Sequence, residues 1–121
     1  MIVDDQTIDR SVISSILTKA GYHFSEAVDG ESVIRFFEKS THPFDLILLD
    51  RVMTGMSGID VLQKLSMIPE ARHIPVVMVT SHAERFDQKN AYIYGVFDVI
   101  FKPVDKVILL NVIKRALKLI D

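Results

Sequence analysis

Five polar residues of this sequence could do chemistry together: Asp4, Asp5, Asp50, Thr80 and Lys102. Three carboxylates pushed together repel one another. A hard divalent cation relieves that repulsion, and oxygen-only ligands with room for water suit Mg²⁺. A lysine adds a point charge and a threonine a hydroxyl. Both can stabilise charge on the oxygens of a phosphoryl group in flight. Asp50, the central carboxylate, is placed as a nucleophile that would form an acyl phosphate. Such a set suits moving a phosphoryl group onto Asp50 and later handing it to water. Taken singly, each residue has an ordinary role: an acidic helix start, a turn cap, a hydroxyl cap, a solvated loop lysine. The chemistry depends on whether the fold gathers them.

The elements that would do so are legible. Asp45-Leu46-Ile47-Leu48-Leu49-Asp50 runs four large aliphatic residues without a break and stops at a carboxylate. A run this short and apolar reads as a strand buried on both faces, as in a parallel sheet covered by helices. Before it, Met1-Ile2-Val3 is a short apolar start, either a short strand or a trimmed one. Ile8, Val12, Ile16 and Ala20 recur at four-residue spacing with Ile13 and Leu17 beside them, which predicts an amphipathic helix stopped by Gly21. Phe24 to Val28 fits a peripheral strand, and Asp29-Gly30 turns the chain. Val33, Ile34 and Phe37 give a second helical stripe, ending near Thr41-His42-Pro43.

Beyond Asp50, a loop with two glycines, Gly55 and Gly58, leads to a third helix. Ser57 is its expected N-cap and Ile59, Leu62 and Leu65 its stripe, with Pro69 ending it. Ile74 to Val79 is a further buried strand, Pro75 being tolerable near its start, and it terminates in Thr80-Ser81. A fourth helix is expected over about Ala83 to Tyr94, stopping at Gly95. Val96 to Phe101 forms the fifth strand, closed by Lys102-Pro103, and the last helix covers about Asp105 to Ile120. Alternating strands and helices of this kind predict a doubly wound α/β sandwich with right-handed crossovers. The carboxyl ends of strands one, three, four and five then carry Asp4-Asp5, Asp50, Thr80 and Lys102. In open α/β sheets that edge is where ligands bind.

Composition excludes several classes. At 121 residues the chain is expected to be one domain with a real core, and a hydrophobic fraction of 49% argues against disorder. With no cysteine there is no disulfide framework and no thiolate metal site. A net charge of −2, from 16 acids and 14 bases, argues against a nucleic-acid footprint. No apolar run approaches a membrane span, and no signal peptide is legible, so a cytoplasmic protein is expected.

The motifs Val3-Asp4-Asp5, Leu48-Leu49-Asp50, Gly55-Met56-Ser57-Gly58, Val79-Thr80, Gly95 and Lys102-Pro103 jointly resemble the receiver domain of two-component response regulators. The likeness covers the whole chain, as a single domain over residues 1–121, stand-alone or cut from a longer regulator. It implies flavodoxin-like topology with strand order 2-1-3-4-5. It implies that Asp50 accepts phosphate from a sensor histidine kinase or a histidine phosphotransfer protein. Asp5, Asp50 and the backbone carbonyl of Val52 would ligate Mg²⁺, and Asp4 would act through a water. Thr80 and Lys102 would contact the phosphoryl oxygens. Such a protein is a signalling phosphoacceptor that promotes its own phosphorylation and dephosphorylation rather than an enzyme. The Lys102-Pro103 peptide is often cis in such domains.

The sequence departs from that pattern in places. Thr54 stands where a proline is usual, which predicts a looser loop, and Ser57 stands where an acid is common. Ser81 replaces a frequent alanine and slightly crowds phosphoryl access. Val99 stands where receivers carry Tyr or Phe, a ring that turns inward on activation. Valine is stiff and has no ring to relocate, so signalling through an aromatic rotamer is not expected here. Val52 and His82 match positions that flank the phosphoryl group in the family. His82 is expected to orient or block the attacking water, with a solvated loop histidine as the alternative.

The last helix carries a sheet-facing stripe of Leu109, Val112, Ile113, Ala116, Leu117 and Ile120, widened by Ile108, Leu119 and Leu110. That arc is broader than an ordinary surface helix needs. With Tyr92, Ile93 and Tyr94 of the fourth helix it reads either as a thick core with stray exposed residues or as a docking or dimerisation face. Lys114, Arg115 and Lys118 are expected on the solvent side. A haloacid dehalogenase-type phosphatase would need an acid where Val52 stands. A nucleotide binder would want a glycine-rich loop where Asp4-Asp5-Gln6-Thr7 would repel phosphate. The remaining competitor is a degenerate receiver acting as a phosphorylation-independent interaction module.

Overall fold

The computed structural model describes residues 1–39, 44–81 and 88–118. Strands and helices alternate along the chain: β1 (Ile2–Val3), α1 (Thr7–Lys19), β2 (Glu26–Ala27), α2 (Gly30–Lys39), β3 (Ile47–Asp50), α3 (Gly58–Ser66), β4 (Val76–Ser81), α4 (Gln88–Ile93), β5 (Asp98–Lys102) and α5 (Lys106–Ala116). The strands form one parallel sheet in the order β2-β1-β3-β4-β5. This is the expected flavodoxin-like arrangement. The order reverses between β1 and β3, the switch point where ligands bind in such sheets.

The β3 run is buried on both faces because its side chains alternate between two cores. Ile47 and Leu49 join Val33 and Phe37 of α2 and Val61, Leu62 and Leu65 of α3. Leu48 joins Ile13 and Leu17 of α1 and Leu109, Val112 and Ile113 of α5. Two-sided burial of the central strand fixes its register, since a one-residue slip would exchange the two cores.

Two readings of the apolar pattern need correction. Ile8 is 78% exposed and Val12 43% exposed, and Ala20 is exposed too; the buried face of α1 is Ile13 and Leu17, with Ile16 partly buried. At about 100° per residue, a four-residue spacing drifts around the helix by roughly 40° at each step. Four such positions cannot share one face. In α3 the buried stripe is Val61, Leu62 and Leu65, with Ile59 only partly buried.

Helix ends follow local chemistry. Ser57 caps α3 as expected, its hydroxyl accepting from the Asp60 N–H at 3.2 Å while Asp60 accepts from the Ser57 N–H at 3.1 Å. Asp105 caps α5 by accepting from the Ile108 N–H at 3.0 Å. Gly21 and Gly95 have φ of +85° and +99° beyond α1 and α4, a region in which a Cβ is strained. β2 is shorter than the predicted Phe24–Val28. Only Glu26 and Ala27 pair with β1, and Val28 is 51% exposed. The predicted start of the fourth helix and the end of the fifth lie outside the described residues, as do Leu119 and Ile120.

Gly58 ties the loop after β3 back onto the strand, its N–H donating to the Arg51 carbonyl at 2.7 Å. A Cβ there would lie 2.5 Å from the Asp50 carbonyl oxygen and 2.8 Å from the Arg51 Cα. Both neighbours are backbone and cannot swing aside. Gly58→Ala is expected to cost about 1–2 kcal/mol, read as a lower urea midpoint with an unchanged slope.

Candidate functional site

The sheet brings the predicted residues to its carboxyl edge. β1 ends at Val3, and the chain stays pinned beside β2 for one more residue through the Asp4 N–H to the Ala27 carbonyl at 3.1 Å. Asp4 is therefore 1% exposed. Its Oδ1 accepts from the Gln6 N–H at 2.9 Å, and its Oδ2 from Lys102 Nζ at 3.0 Å. Asp5, the next residue, turns toward the cleft and is partly exposed. Asp50 ends β3 and is 5% exposed. One oxygen from each of Asp4, Asp5 and Asp50 can be chosen so that all lie within 4.8 Å of one another. That all-oxygen convergence is a donor set for a hard cation.

Lys102 ends β5, in register with Ser81 of β4. Its ammonium donates to Asp9 Oδ2 at 2.9 Å, Asp4 Oδ2 at 3.0 Å and Asp50 Oδ1 at 3.3 Å. Burial works against its charge. Hydrogen bonds to Asp9 and Asp4 and the charges of Asp50 and Asp4 outweigh that and hold its pKa above the ordinary lysine value. Asp50 moves the other way for an acid. Burial first, then the charge on Asp4, pushes its pKa up to about 6, against the opposing pull of Lys102. Thr80 is fully buried in β4, one residue before Ser81. The cleft above these groups holds about 530 Å³ and is lined by Asp5, Asp9, Asp50, Thr54, Ser81 and Lys102, among others. Val52, 48% exposed, also lines it, so no acid stands where a haloacid dehalogenase-type phosphatase would place one. The Lys102–Pro103 peptide bond is cis. His82 lies outside the described residues.

Three contacts escaped the sequence reading. Asp9 sits in the first turn of α1, and nothing in its sequence setting marks it as a partner of Lys102. Arg10 donates to the Asp4 carbonyl at 2.8 Å. Thr54, expected to loosen its loop, instead ties it down: its N–H and hydroxyl donate to Asp5 Oδ2 at 3.0 and 3.2 Å. A proline has neither donor. The Thr54 backbone bond is the main cause holding the Asp5 carboxyl below its usual range. Thr54→Pro is expected to shift the Asp5 titration midpoint upward, as followed by carboxyl carbon resonances across an acid titration.

Val99, in register with Met78, is partly buried against the α2–α3 core. On the far side of the sheet edge, Tyr92, Ile93, Phe97 and Ile108 are exposed, between 40% and 77%. Leu109, Val112, Ile113 and Ala116 are buried, as the stripe on α5 predicted. Arg115 is not merely solvated: it pairs with Asp98 at 3.0 Å, and Asp98 also accepts from the Tyr92 hydroxyl at 2.9 Å. Among the described residues, no helix is long and apolar enough to cross a membrane.

Known proteins resemble this chain in sequence and in fold. Residues 1–114 match the family described as the response regulator receiver domain. The chain is 36% identical over 109 residues to response regulator PleD of Caulobacter vibrioides, covering 90% of this chain and 24% of that protein. It is 35% identical over 104 residues to chemotaxis protein CheY-3 of Vibrio cholerae, covering 85% of this chain and 78% of that one. The chain spans about a quarter or less of the length of several relatives. The receiver domain of a sensor histidine kinase from Pseudomonas aeruginosa, solved with a magnesium ion in its active-site cleft, superposes with a TM-score of 0.85 at 24% identity, covering 97% of this chain and 94% of that one. At that identity the likeness shows the fold. Members of the family are signalling phosphoacceptors rather than classical enzymes, and histidine kinases typically phosphorylate them. A match over nearly the whole chain, on a sheet of the same order, leaves one assignment: the chain belongs to the family of response regulator receiver domains.

Proposed function

We propose that Asp50 accepts a phosphoryl group from a sensor histidine kinase or a histidine phosphotransfer protein, in a Mg²⁺-dependent reaction, and that the change is passed on as a conformational signal. The observation that carries this is the convergence of Asp4, Asp5 and Asp50 beside the Lys102 ammonium at one sheet edge. In the transfer, a carboxylate oxygen of Asp50 bonds to phosphorus as the phosphorus–nitrogen bond of the donor imidazole breaks. In hydrolysis, water attacks phosphorus and the Asp50 carboxylate leaves. Lys102 and Thr80 hold charge on the phosphoryl oxygens. Asp5, Asp50 and the Val52 carbonyl would hold the metal directly, with Asp4 acting through a water. The bound metal supplies charge neutralisation and keeps Asp50 ionised despite its burial. The magnesium in the Pseudomonas aeruginosa relative supports this reading.

The domain spans the whole chain, stand-alone or within a longer regulator, works in the cytoplasm, and meets a dimer or output partner through α4, β5 and α5. The exposed Tyr92, Ile93 and Ile108 support that face. A second reading, a receiver used only as an interaction module, is favoured by Val99, which offers no ring to move. Intact mass after incubation with acetyl phosphate or phosphoramidate separates the two. The proposal expects gain of one phosphoryl group, abolished by chelation of Mg²⁺ and in Asp50→Asn. No uptake by a folded chain would leave the interaction module.

A further inference from the structure

The three N–H donors of Lys102 each meet one carboxylate, and the three bonds are unequal. The nearest is Asp9 at 2.9 Å, closer than Asp50 at 3.3 Å. Charge-assisted N–H···O bonds are strongest at about 2.7–2.9 Å, so the pair with Asp9 is well made and the pair with Asp50 is stretched. Asp9 reaches the ammonium from α1, outside the group of three aspartates that could share a cation. The carboxylate sits on the open side of the cleft, 34% exposed against 7% for Asp50. A competitor that is itself partly hydrated can release the ammonium without leaving a buried charge unpaired.

We propose that Asp9 is a positioning residue that draws Lys102 away from Asp50 and so slows phosphoryl uptake. This rests on Asp50 being the phosphoacceptor. In the resting protein the Asp9 carboxylate holds the shortest of the three contacts of the ammonium. For the phosphoryl oxygens to be met, Nζ must give up part of that contact and turn toward Asp50. Uptake therefore carries the cost of breaking a good ion pair. Neutralising Asp9 removes the competitor while leaving the three converging aspartates, Thr80 and Lys102 in place.

The test has two arms. The first needs no phosphoryl donor. Melting temperatures of the parent, Asp9→Asn, Asp50→Asn and the double variant are compared in EDTA. Asp50→Asn is expected to raise the melting temperature of the parent. In the Asp9→Asn background Lys102 can close its 3.3 Å contact with Asp50, so the rise should shrink by about half or more. An equal rise in both backgrounds overturns the competition. The second arm follows uptake from acetyl phosphate and from the less charged phosphoramidate, at low salt and at about 0.5 M salt, where exposed charges are screened. Asp9→Asn is expected to raise the maximal rate about threefold or more with both donors at both salts, with the donor KM unchanged, and Asp9→Glu to stay near the parent. A gain confined to acetyl phosphate at low salt is charge steering and overturns the proposal, as does an unchanged or slower rate. If the parent itself takes up no phosphoryl group, the phosphoacceptor reading fails, and with it the brake, while the melting cycle still decides whether Asp9 and Asp50 compete for Lys102.

Discussion

Lys102→Met is expected to take up no phosphoryl group and to lose about 2–3 kcal/mol of stability near neutral pH. The methionine keeps much of the volume and removes the charge. Asp4, Asp9 and Asp50 each lose a charge-assisted hydrogen bond, and Asp4 and Asp50 are left buried without the ammonium that pairs with both. Removing one partner of a buried pair costs about 3–5 kcal/mol. The lower figure here allows for the opening of the cleft to water through Asp9 and Asp5. The pH dependence has a definite sign. The Lys102 pKa is raised in the folded state, so its stabilisation is fully present below the ordinary lysine value and is lost only as pH rises through the raised one. At neutral pH the parent therefore holds all of it. In the variant Asp50, having lost the opposing pull of Lys102, takes up a proton more readily than before, and the deficit should narrow as pH falls from about 7.5 to 5. Millimolar Mg²⁺ should recover part of it by replacing the missing positive charge. Urea unfolding at three pH values, with and without the metal, checks each point. A variant as stable as the parent at neutral pH would show that the three contacts hold Lys102 in place without stabilising the fold.

That lysine also marks the limit of what the sequence discloses. Strand ends are readable because hydrophobic runs stop abruptly, as Leu49 does at Asp50, and the order of strands then gathers Asp4, Asp5, Asp50, Thr80 and Lys102 without knowledge of any side-chain angle. Ser57 was legible for the same local reason: a hydroxyl three residues before an acid caps a helix wherever it occurs. Partners set by tertiary distance were not legible. Asp9 lies 93 residues from Lys102, and on the sequence it is one more acid in a first helical turn. Thr54 and Asp5 are 49 residues apart, and the absence of a proline suggested slack where the structure has a clasp. The α1 stripe misled because Ile8 and Val12 obey a helical spacing yet drift around the helix away from the buried Ile13–Leu17 face. Patterning predicts that a helix has an apolar face. Which of its residues meet the sheet is set by packing, here Ile13 and Leu17.

Asp50→Asn is expected to abolish phosphoryl uptake and yet to be the more stable protein, by about 1–2 kcal/mol above neutral pH in the absence of metal. Asparagine is nearly isosteric and its carbonyl oxygen can still accept from Lys102. What it removes is a charge held in an unfavourable place: burial and the neighbouring Asp4 lift the Asp50 pKa from 3.8 to about 6. At about 1.4 kcal/mol per pH unit the face value is about 3 kcal/mol. Solvent reaching the cleft reduces it. Because the folded pKa lies above the unfolded one, the folded state binds the proton more tightly. The destabilisation is therefore complete above about pH 7, is relieved as pH falls through 6, and is mostly gone by about pH 4. The advantage of the variant should close over that window. Mg²⁺ should reverse the order, since it binds the parent through a charge the variant lacks and stabilises only the protein that binds it. Uptake by the parent should fall below about pH 6 when metal is limiting, as the nucleophile becomes protonated. Thermal unfolding of both proteins from pH 4 to 8, in EDTA and in Mg²⁺, reads all of this. A variant less stable than the parent at pH 8 in EDTA, or a gap that widens on acidification, would mean that Asp50 is stabilised by its neighbours rather than strained by them, and that the site does not hold its nucleophile at a cost for the metal and the phosphoryl group to relieve.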